Sequence, residues 1–254
     1  MFLQVKNLNK SYSIGKFFSK EKKEILKNIS FDVKEGEIFS IVGQSGAGKS
    51  TIGKILLGIE EKDSGDIIFL DRPLEKRKVQ EIQMVFQDPY SSLNPAMKIG
   101  SILEEPLKVN GVKDKNERKR RVKAMLKEIG LDETSEDKYP SELSGGQRQR
   151  VVIGAAMILN PKLVVCDEPV ASLDLSIQNQ ILNLIRKFNR EYRTTFIFIS
   201  HDLGVVYNIS DRVLLLCKGE IQELRETVEF FKNPQSEYGK YFLKGLKLSN
   251  TRKF

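Results

Sequence analysis

One stretch, GEIFSIVGQSGAGKSTIGKILLGI (residues 36–59), restricts the fold of this chain more than any other. Its apolar run at 38–42 predicts a buried strand, and the following loop has the spacing G-x-x-x-x-G-K-S. Four apolar residues then share one face of a predicted helix: Ile52, Ile55, Leu56 and Ile59. A strand, a glycine loop and a helix in this order predict an α/β fold, with the loop at the carboxyl end of a strand.

The loop itself predicts a binding site for the phosphates of a nucleotide. Glycines at Gly43, Gly46 and Gly48 let successive backbone N–H groups turn towards phosphate oxygens, and the helix dipole adds positive charge there. Lys49 is placed to reach the β- and γ-phosphates, and the Ser50 hydroxyl to ligate Mg²⁺. The predicted nucleotide-binding residues of this loop are Gly43, Ser45, Gly46, Ala47, Gly48, Lys49, Ser50 and Thr51.

A second apolar run, 163–166, predicts a strand buried on both faces, with Asp167 at its carboxyl end. Asp167 is the expected carboxylate ligand of the magnesium ion. The next residue, Glu168, is the expected base that orients and deprotonates an attacking water. An Asp-Glu pair at a strand end is often only a surface turn, and the phosphate loop is the reason to favour the catalytic interpretation.

Two further strand ends carry polar side chains. The run TTFIFIS (194–200) precedes His201, which is the only histidine of the chain, and IQMVFQ (82–87) ends at Gln87. Ligands of open α/β sheets bind at this edge, so His201 is expected to contact the γ-phosphate and Gln87 the magnesium ion or the water. The alternative for a lone histidine is a structural role.

A second glycine loop lies in ELSGGQRQRVVIGAA (142–156). Ser144 and Gln147 have the spacing of a capping box at the start of a helix that stops at Asn160-Pro161. Gly145 and Gly146 leave the first N–H groups of this helix available to an anion, without a lysine. The long and mostly helical segment between Gln87 and residue 163 would hold this loop away from Lys49. We therefore expect it to serve the nucleotide of another chain.

Composition sets wider limits. With 254 residues and 40% hydrophobic content the chain is expected to be globular, and no apolar run approaches the length of a membrane span or secretory signal. The net charge of +8 is concentrated at 15–23, 113–127 and 244–254. In the second segment apolar residues recur at helical spacing up to Gly130, which favours a solvated helix face over a nucleic-acid site. Cys166 and Cys217 lie in apolar runs and are expected to be buried thiols.

These motifs together resemble the ATP-binding subunits of ABC transporters, over about residues 3–246. The resemblance implies a P-loop NTPase fold with a mixed-sheet core, an antiparallel β subdomain and an inserted helical subdomain. It implies that two such subunits dimerise head to tail, so that each LSGGQ loop closes the partner's ATP site with Mg²⁺. In this resemblance, the D-loop of the chain ends at Asp174, and Tyr12 matches the position of the aromatic residue that stacks on adenine in the family. We divide the chain into a core (about 1–87 and 161–225), a helical subdomain (about 88–160) and a C-terminal extension (about 226–254).

The segments 10–31 and 87–107 are similar to the second ATPase of oligopeptide, dipeptide and nickel importers. This resemblance implies a peripheral protein at the cytoplasmic face of the membrane, with three kinds of contact. These are a second, homologous ATPase, two transmembrane permease subunits whose coupling helix meets about 88–106, and indirectly an extracytoplasmic substrate-binding protein; no nucleic acid is expected. A soluble ABC ATPase acting on nucleic acid or ribosomes is the alternative, and an exporter is a third possibility.

Three departures from the family pattern qualify this resemblance. NPQSEYGKYF (233–242) lacks a His-Pro pair and is not followed by a cysteine-bearing tail, so the chain resembles nickel-type subunits more, although short dipeptide-type subunits also exist. Ala171 stands where the D-loop usually has serine, so communication between the two ATP sites is expected to differ. Ala155 stands where arginine is common. The transported substrate is not fixed by these residues.

Overall fold

The computed structural model describes residues 1–14, 21–171 and 173–250. In chain order the strands are β1 (Leu3–Ile14), β2 (Glu21–Val33), β3 (Ile38–Val42), β4 (Ser64–Phe69), β5 (Arg72–Pro73), β6 (Ile82–Val85), β7 (Leu163–Asp167), β8 (Thr195–Ser200), β9 (Arg212–Cys217) and β10 (Glu220–Glu226). The helices are α1 (Lys49–Leu57), α2 (Pro89–Ser92), α3 (Ile99–Val109), α4 (Lys115–Glu128), α5 (Gly145–Met157), α6 (Leu175–Tyr192), α7 (Leu203–Ile209), α8 (Thr227–Lys232) and α9 (Glu237–Asn250).

The chain divides into two compact units. One comprises residues 1–77 and 195–254, and the other comprises residues 78–194. The boundaries expected from the sequence, near 87 and 161, differ from this division because β6, β7 and α6 group with the helical segment. The core and helical subdomain therefore stay a prediction.

The first unit contains two groups of strands. An antiparallel sheet has the order β2-β1-β4-β5, and a mixed arrangement has the order β10-β9-β3-β8. In the mixed arrangement β3 runs parallel to both β8 and β9, whereas β10 is antiparallel to β9. All residues of β3 and β8 are buried, as expected of strands covered on both faces. This agrees with the mixed and antiparallel sheets predicted from the sequence.

An aromatic cluster joins the C-terminal segment to the first unit. Phe230 of α8 is fully buried in the same core cluster as Val42 of β3 and Leu215 of β9. Phe231, Tyr238 and other partly buried side chains pack against it. The buried carboxylate of Glu223 accepts hydrogen bonds from the backbone of 235 and 236 and fixes the turn before α9. The predicted basic segments 15–23 and 244–254 lie partly outside the described residues.

The second unit places β6 parallel to β7 and packs helices α2 to α6 around them. α4 corresponds to most of the basic helix predicted over 113–127. Its apolar face is buried and includes Val122, Met125, Leu126 and the following Ile129, and the helix is followed by Gly130 at φ 70°. Basic side chains of its other face are exposed to solvent, as Arg120 is, which pairs with Glu117 at 2.7 Å. The predicted solvated helix face is confirmed.

Some expectations need correction. Ile59 does not share the buried face of α1: the helix ends at Leu57, Gly58 adopts the left-handed conformation, and Ile59 is 58% exposed. The strand predicted over 82–87 ends at Val85, because the chain turns into α2, so Gln87 lies two residues beyond it.

Both cysteines are free, Cys166 buried and Cys217 partly buried. No helix in the described part of the chain is long and apolar enough to cross a membrane.

Candidate active site

The phosphate loop is held in shape by its glycines. Gly43, Gly46 and Gly48 all have positive φ, at 152°, 77° and 106°, and such backbone geometry favours glycine. A Cβ on Gly43 would collide with the carbonyl oxygen of Leu216, and one on Gly48 would lie 2.9 Å from the carbonyl oxygen of Ile25. Space is open around Gly46. The loop is therefore packed on neighbouring strands at both ends and open at its middle.

Lys49 is the first residue of α1 and is 6% exposed. Its Nζ donates hydrogen bonds to the carbonyl oxygens of Gly43 at 2.8 Å and Gln44 at 3.0 Å. The ammonium group thus lies within the curve of the loop, bound to its backbone. The other residues predicted to bind the nucleotide differ in exposure. Ser45 is exposed, Ala47 is buried, and Ser50 and Thr51 are half-buried.

Tyr12 lies on β1, paired with Lys23 of β2, and is half-buried. The Nζ of Lys10 is 5.0 Å from the centroid of its ring, a cation–π distance. Lys10 also forms an ion pair with Glu60 at 2.8 Å, and that hydrogen bond raises the pKa of Lys10, so it stays charged. The described structure gives Tyr12 a cation–π contact, and adenine stacking stays a prediction.

His201 follows β8 directly and is exposed. β8 is parallel to β3 and pairs Ser200 with Val42, so His201 and Gly43 leave neighbouring strands at the same level. Asp202 then starts α7, where its Oδ1 accepts hydrogen bonds from the N–H groups of Gly204 and Val205. The first unit therefore brings the histidine and the phosphate loop to one edge of its parallel strands, as expected.

The second unit brings Gln87 and Glu168 together. The Nε2 of Gln87 donates a hydrogen bond to Oε2 of Glu168 at 3.2 Å. Glu168 has φ 49°, a left-handed conformation that is uncommon outside glycine and that concentrates at functional sites. The turn is closed by a hydrogen bond from the N–H of Ala171 to the carbonyl oxygen of Glu168.

Asp167 is the last residue of β7 and is half-buried. The residue before it, Cys166, is fully buried, and burial together with the charge of Asp167 raises the pKa of the Cys166 thiol far above its ordinary value. The thiol is therefore neutral and unreactive. This outcome confirms the predicted quiet core cysteine at this position.

The second glycine loop forms the predicted capping box. The N–H of Gln147 donates to Oγ of Ser144 at 3.3 Å, and the N–H of Ser144 donates to Oε1 of Gln147 at 2.9 Å. Gly145 and Gly146 form the first turn of α5. A Cβ on Gly146 would lie 2.6 Å from Cγ2 of Ile177, whereas one on Gly145 would meet Leu173 only at 4.0 Å. Close packing against α6 is therefore a second reason for the glycine at 146.

Sequence reasoning missed the contacts that support these loops, although it named Asp174 as the end of the D-loop. The N–H of Gly219, in the turn between β9 and β10, donates to the carbonyl oxygen of Ala47 at 3.2 Å. Asp174 caps α6 by accepting from the N–H of Ile177 at 3.0 Å, which places Ile177 against Gly146. Lys-Gly after an apolar run and Asp before a helix are local turn and cap signals. Their contacts with distant loops have no local signal.

Comparison with known proteins gives consistent matches. The family model described as ABC transporter matches residues 26–171. The oligopeptide transport ATP-binding protein OppF of Streptococcus pyogenes serotype M1 is 42% identical over 245 residues, which cover 93% of this chain and 78% of that protein. The dipeptide transport ATP-binding protein DppF of Haemophilus influenzae is also 42% identical, over 93% of this chain and 75% of its own length.

Solved structures agree. A dimeric ATP-binding cassette in a post-hydrolysis state with ADP and Pi is 30% identical, covers 89% of this chain and 99% of its own, and has a TM-score of 0.78. The structure of cbiO1 from Clostridium perfringens, part of an ABC transporter complex, is 29% identical, covers 100% and 99%, and has a TM-score of 0.82. The chain therefore belongs to the ABC transporter family of ATP-binding proteins, with the P-loop α/β fold and the ATP-hydrolysing activity of that family.

Proposed function

We propose that this chain hydrolyses ATP with Glu168 as the general base and thereby energises a membrane importer of peptides. The observation that carries the catalytic part is the hydrogen bond from Gln87 to Glu168. A carboxylate held by an amide, at a left-handed turn directly after a buried strand, is oriented before substrate arrives. Pre-orientation of this kind is what a general base requires.

The chemistry is an in-line attack of water on the γ-phosphate. Glu168 accepts the proton of the water, and Gln87 holds that carboxylate in place. Lys49 and the N–H groups of the loop bind the phosphates. We assign His201 to the γ-phosphate, since it leaves its strand level with Gly43.

The donor set fits Mg²⁺. Ser50, Asp167 and Gln87 offer a hydroxyl, a carboxylate and an amide oxygen, and magnesium prefers oxygen ligands, with one or two carboxylates and the substrate phosphates. No group of three or more His, Cys, Asp or Glu side chains suited to a metal occurs in residues 1–14, 21–171 and 173–250. When bound, Mg²⁺ neutralises the charge that develops on the phosphate oxygens.

The second glycine loop is assigned to the nucleotide of a partner ATPase. The capping box uses the N–H of Gln147, which leaves the N–H groups of Gly145 and Gly146 as first-turn donors for the γ-phosphate. The loop contributes no cation, and it completes a site rather than forming one. A similar cassette was solved as a dimer with ADP and Pi, which supports dimerisation, and we propose that the two subunits of the dimer are arranged head to tail.

Peptides are the proposed cargo because the relatives OppF and DppF are named as oligopeptide and dipeptide transport proteins. The resemblance to nickel-type subunits stays a prediction, which these relatives do not support. They also do not favour the alternative of a soluble ATPase acting on nucleic acid. We place the chain at the cytoplasmic face of the membrane. Its proposed partners are a homologous ATPase, two transmembrane permease subunits that meet residues 88–106, and indirectly a substrate-binding protein.

Glu168→Gln tests the catalytic assignment. This change keeps the size of the side chain and removes the base, so ATP hydrolysis by the assembled transporter is expected to fall at least about a hundredfold. ATP binding by the variant should match the wild type in an equilibrium binding assay. Near-normal turnover would contradict the role of Glu168.

Purification of the tagged chain from its native cell after gentle solubilisation tests the transport assignment. Two polytopic membrane proteins and a second ATPase are expected to co-purify. ATP hydrolysis by that complex should rise when a peptide-loaded binding protein is added. Co-purification of only soluble proteins or nucleic acid would contradict the importer.

A further inference from the structure

The end of the first turn of α5 contacts the segment that follows Gln87 through a stacked pair of side chains. Cζ of Arg148 lies 3.8 Å from the centroid of the Tyr90 ring, which is a close cation–π stack. Tyr90 belongs to α2 and is 63% exposed, whereas Arg148 directly follows the second glycine loop and is half-buried. We propose that this stack is a positioning contact, which sets the second glycine loop according to the state of the segment 87–92.

The segment before Tyr90 is tied to the proposed base. Gln87 donates to Glu168, and the next residue, Asp88, caps α2 by accepting from the N–H of Tyr90 at 2.9 Å. Ser92 also donates its hydroxyl to the carbonyl oxygen of Asp88, at 2.7 Å. These two hydrogen bonds tie the one-turn helix α2 to Asp88, the residue next to Gln87. A displacement at Gln87 therefore reaches the Tyr90 ring within three residues.

Hydrogen-bond donors on the α5 side of the stack lack acceptors. Nε of Arg148 and Nε2 of Gln149 are buried and have no hydrogen-bond acceptor among the described residues. Gln149 is 1% exposed. An unpaired buried donor costs free energy of about the size that a cation–π stack returns. The Tyr90 ring is therefore a contact that compensates the poorly satisfied guanidinium group of Arg148.

The inference rests on the proposed function, because it assigns a task to the surface and loop described there. α2 packs against α5 in the second unit, so the coupling path stays within one unit. It runs from Glu168 through Gln87 and Tyr90 to Arg148. Neither Tyr90 nor Arg148 is assigned to ATP, so both act through the loop they position.

Tyr90→Leu in the assembled transporter is the test, with Tyr90→Phe as the matched control. Leucine removes the ring face, and phenylalanine keeps it. We expect kcat for ATP hydrolysis to fall about three- to tenfold in Tyr90→Leu, the range of one cation–π contact, and to stay near wild type in Tyr90→Phe. ATP affinity of the isolated chain should not change in either variant. Its thermal midpoint should stay at the wild-type value in Tyr90→Phe and fall only by the small shift of one lost contact in Tyr90→Leu, which separates positioning from global unfolding.

A double-mutant cycle with Arg148→Met completes the test. If the stack carries the effect, Tyr90→Leu lowers kcat in the wild-type background and adds nothing in the Arg148→Met background. Equal effects in both backgrounds, or equal rates for Tyr90→Leu and Tyr90→Phe, would overturn the inference. An assembly of wild-type subunits without ATP hydrolysis would instead refute the proposed function, so the two failures are distinguishable.

Discussion

The two glycine loops of this chain both precede a helix, yet their glycines are required for different reasons. In the loop at 43–48 the three glycines have positive φ, and Lys49 lies inside the curve. In the loop at 144–147 the glycines are helical, and one of them packs against Ile177. The first loop needs glycine for its backbone conformation, and at Gly43 and Gly48 also for packing, whereas the second needs it for packing at Gly146.

The loops also differ in charge. The first supplies an ammonium group together with its N–H donors, whereas the second supplies only the N–H groups and dipole of α5, ordered by the capping box. A lysine neutralises phosphate charge, and a helix N-terminus alone recognises it. This difference suits the first loop to binding the nucleotide of its own chain and the second to completing a site that another chain has already filled.

The largest effect is expected from Lys49→Ala. This change removes the only cation of the first loop, and we expect ATP binding by the isolated chain to be lost and hydrolysis to fall by about 10² to 10³ or more, the range for the loss of one preorganised hydrogen-bond donor to the transition state. An isothermal binding titration and a phosphate-release assay measure the two effects. Retained ATP affinity in Lys49→Ala would remove the distinction between the loops.

Ser144→Arg should separate binding from hydrolysis. The arginine fills the space in front of α5 and removes its cap, so we expect hydrolysis by the assembled transporter to fall at least about tenfold through the loss of a phosphate-binding helix terminus. ATP affinity of the isolated chain should equal that of the wild type. Lost affinity in the isolated chain would contradict service to a partner's nucleotide. Ser144→Ala is the milder control, since it removes only the cap.

Alanine substitutions at Gly145 and Gly146 test whether packing requires glycine at each position of the second loop. Gly146→Ala places a methyl group 2.6 Å from Ile177 and is expected to cost about 1–3 kcal/mol, whereas Gly145→Ala has room and should change stability by less than about 0.5 kcal/mol. Thermal melting of the isolated chain measures both. Equal melting points would mean that packing at Gly146 relaxes without cost.

In the first loop the open position is Gly46. Among the described residues, no atom beyond its two chain neighbours lies within 4 Å of a Cβ built there, yet its φ is 77°, so Gly46→Ala should cost about 1 kcal/mol through backbone strain alone. Gly145→Ala, also open but helical, is the matched control. If the two open positions respond alike, then conformation does not distinguish the loops.

Much of this arrangement could be predicted from local sequence. The strand at 38–42 and the capping box of Ser144 and Gln147 appear as predicted, because apolar runs and caps are local signals. The helix end before Ile59 was missed although Gly58 marks it, because helical periodicity was extended past a C-cap glycine. Apolar periodicity alone therefore predicts the end of a helix too late when a turn follows it.

The remaining features depend on tertiary packing. The left-handed conformation of Glu168 follows from the turn that Ala171 closes, and a glutamate gives no local signal for it. The contact of Gly146 with Ile177 requires α5 and α6 to be placed first. Likewise, the stack of Tyr90 on Arg148 joins residues 58 positions apart in the chain, beyond the reach of any helical or strand periodicity.

The most direct measurement asks whose nucleotide the second glycine loop contacts. The Lys49→Ala chain is assembled with its partner ATPase, incubated with ATP that carries a photoreactive group on the γ-phosphate, irradiated and analysed by peptide mass spectrometry. Since this chain then lacks its own ATP, labelling of residues 144–147 is predicted to persist, because the label comes from the partner's nucleotide. Labelling that occurs with wild-type Lys49 and disappears in Lys49→Ala would contradict the account.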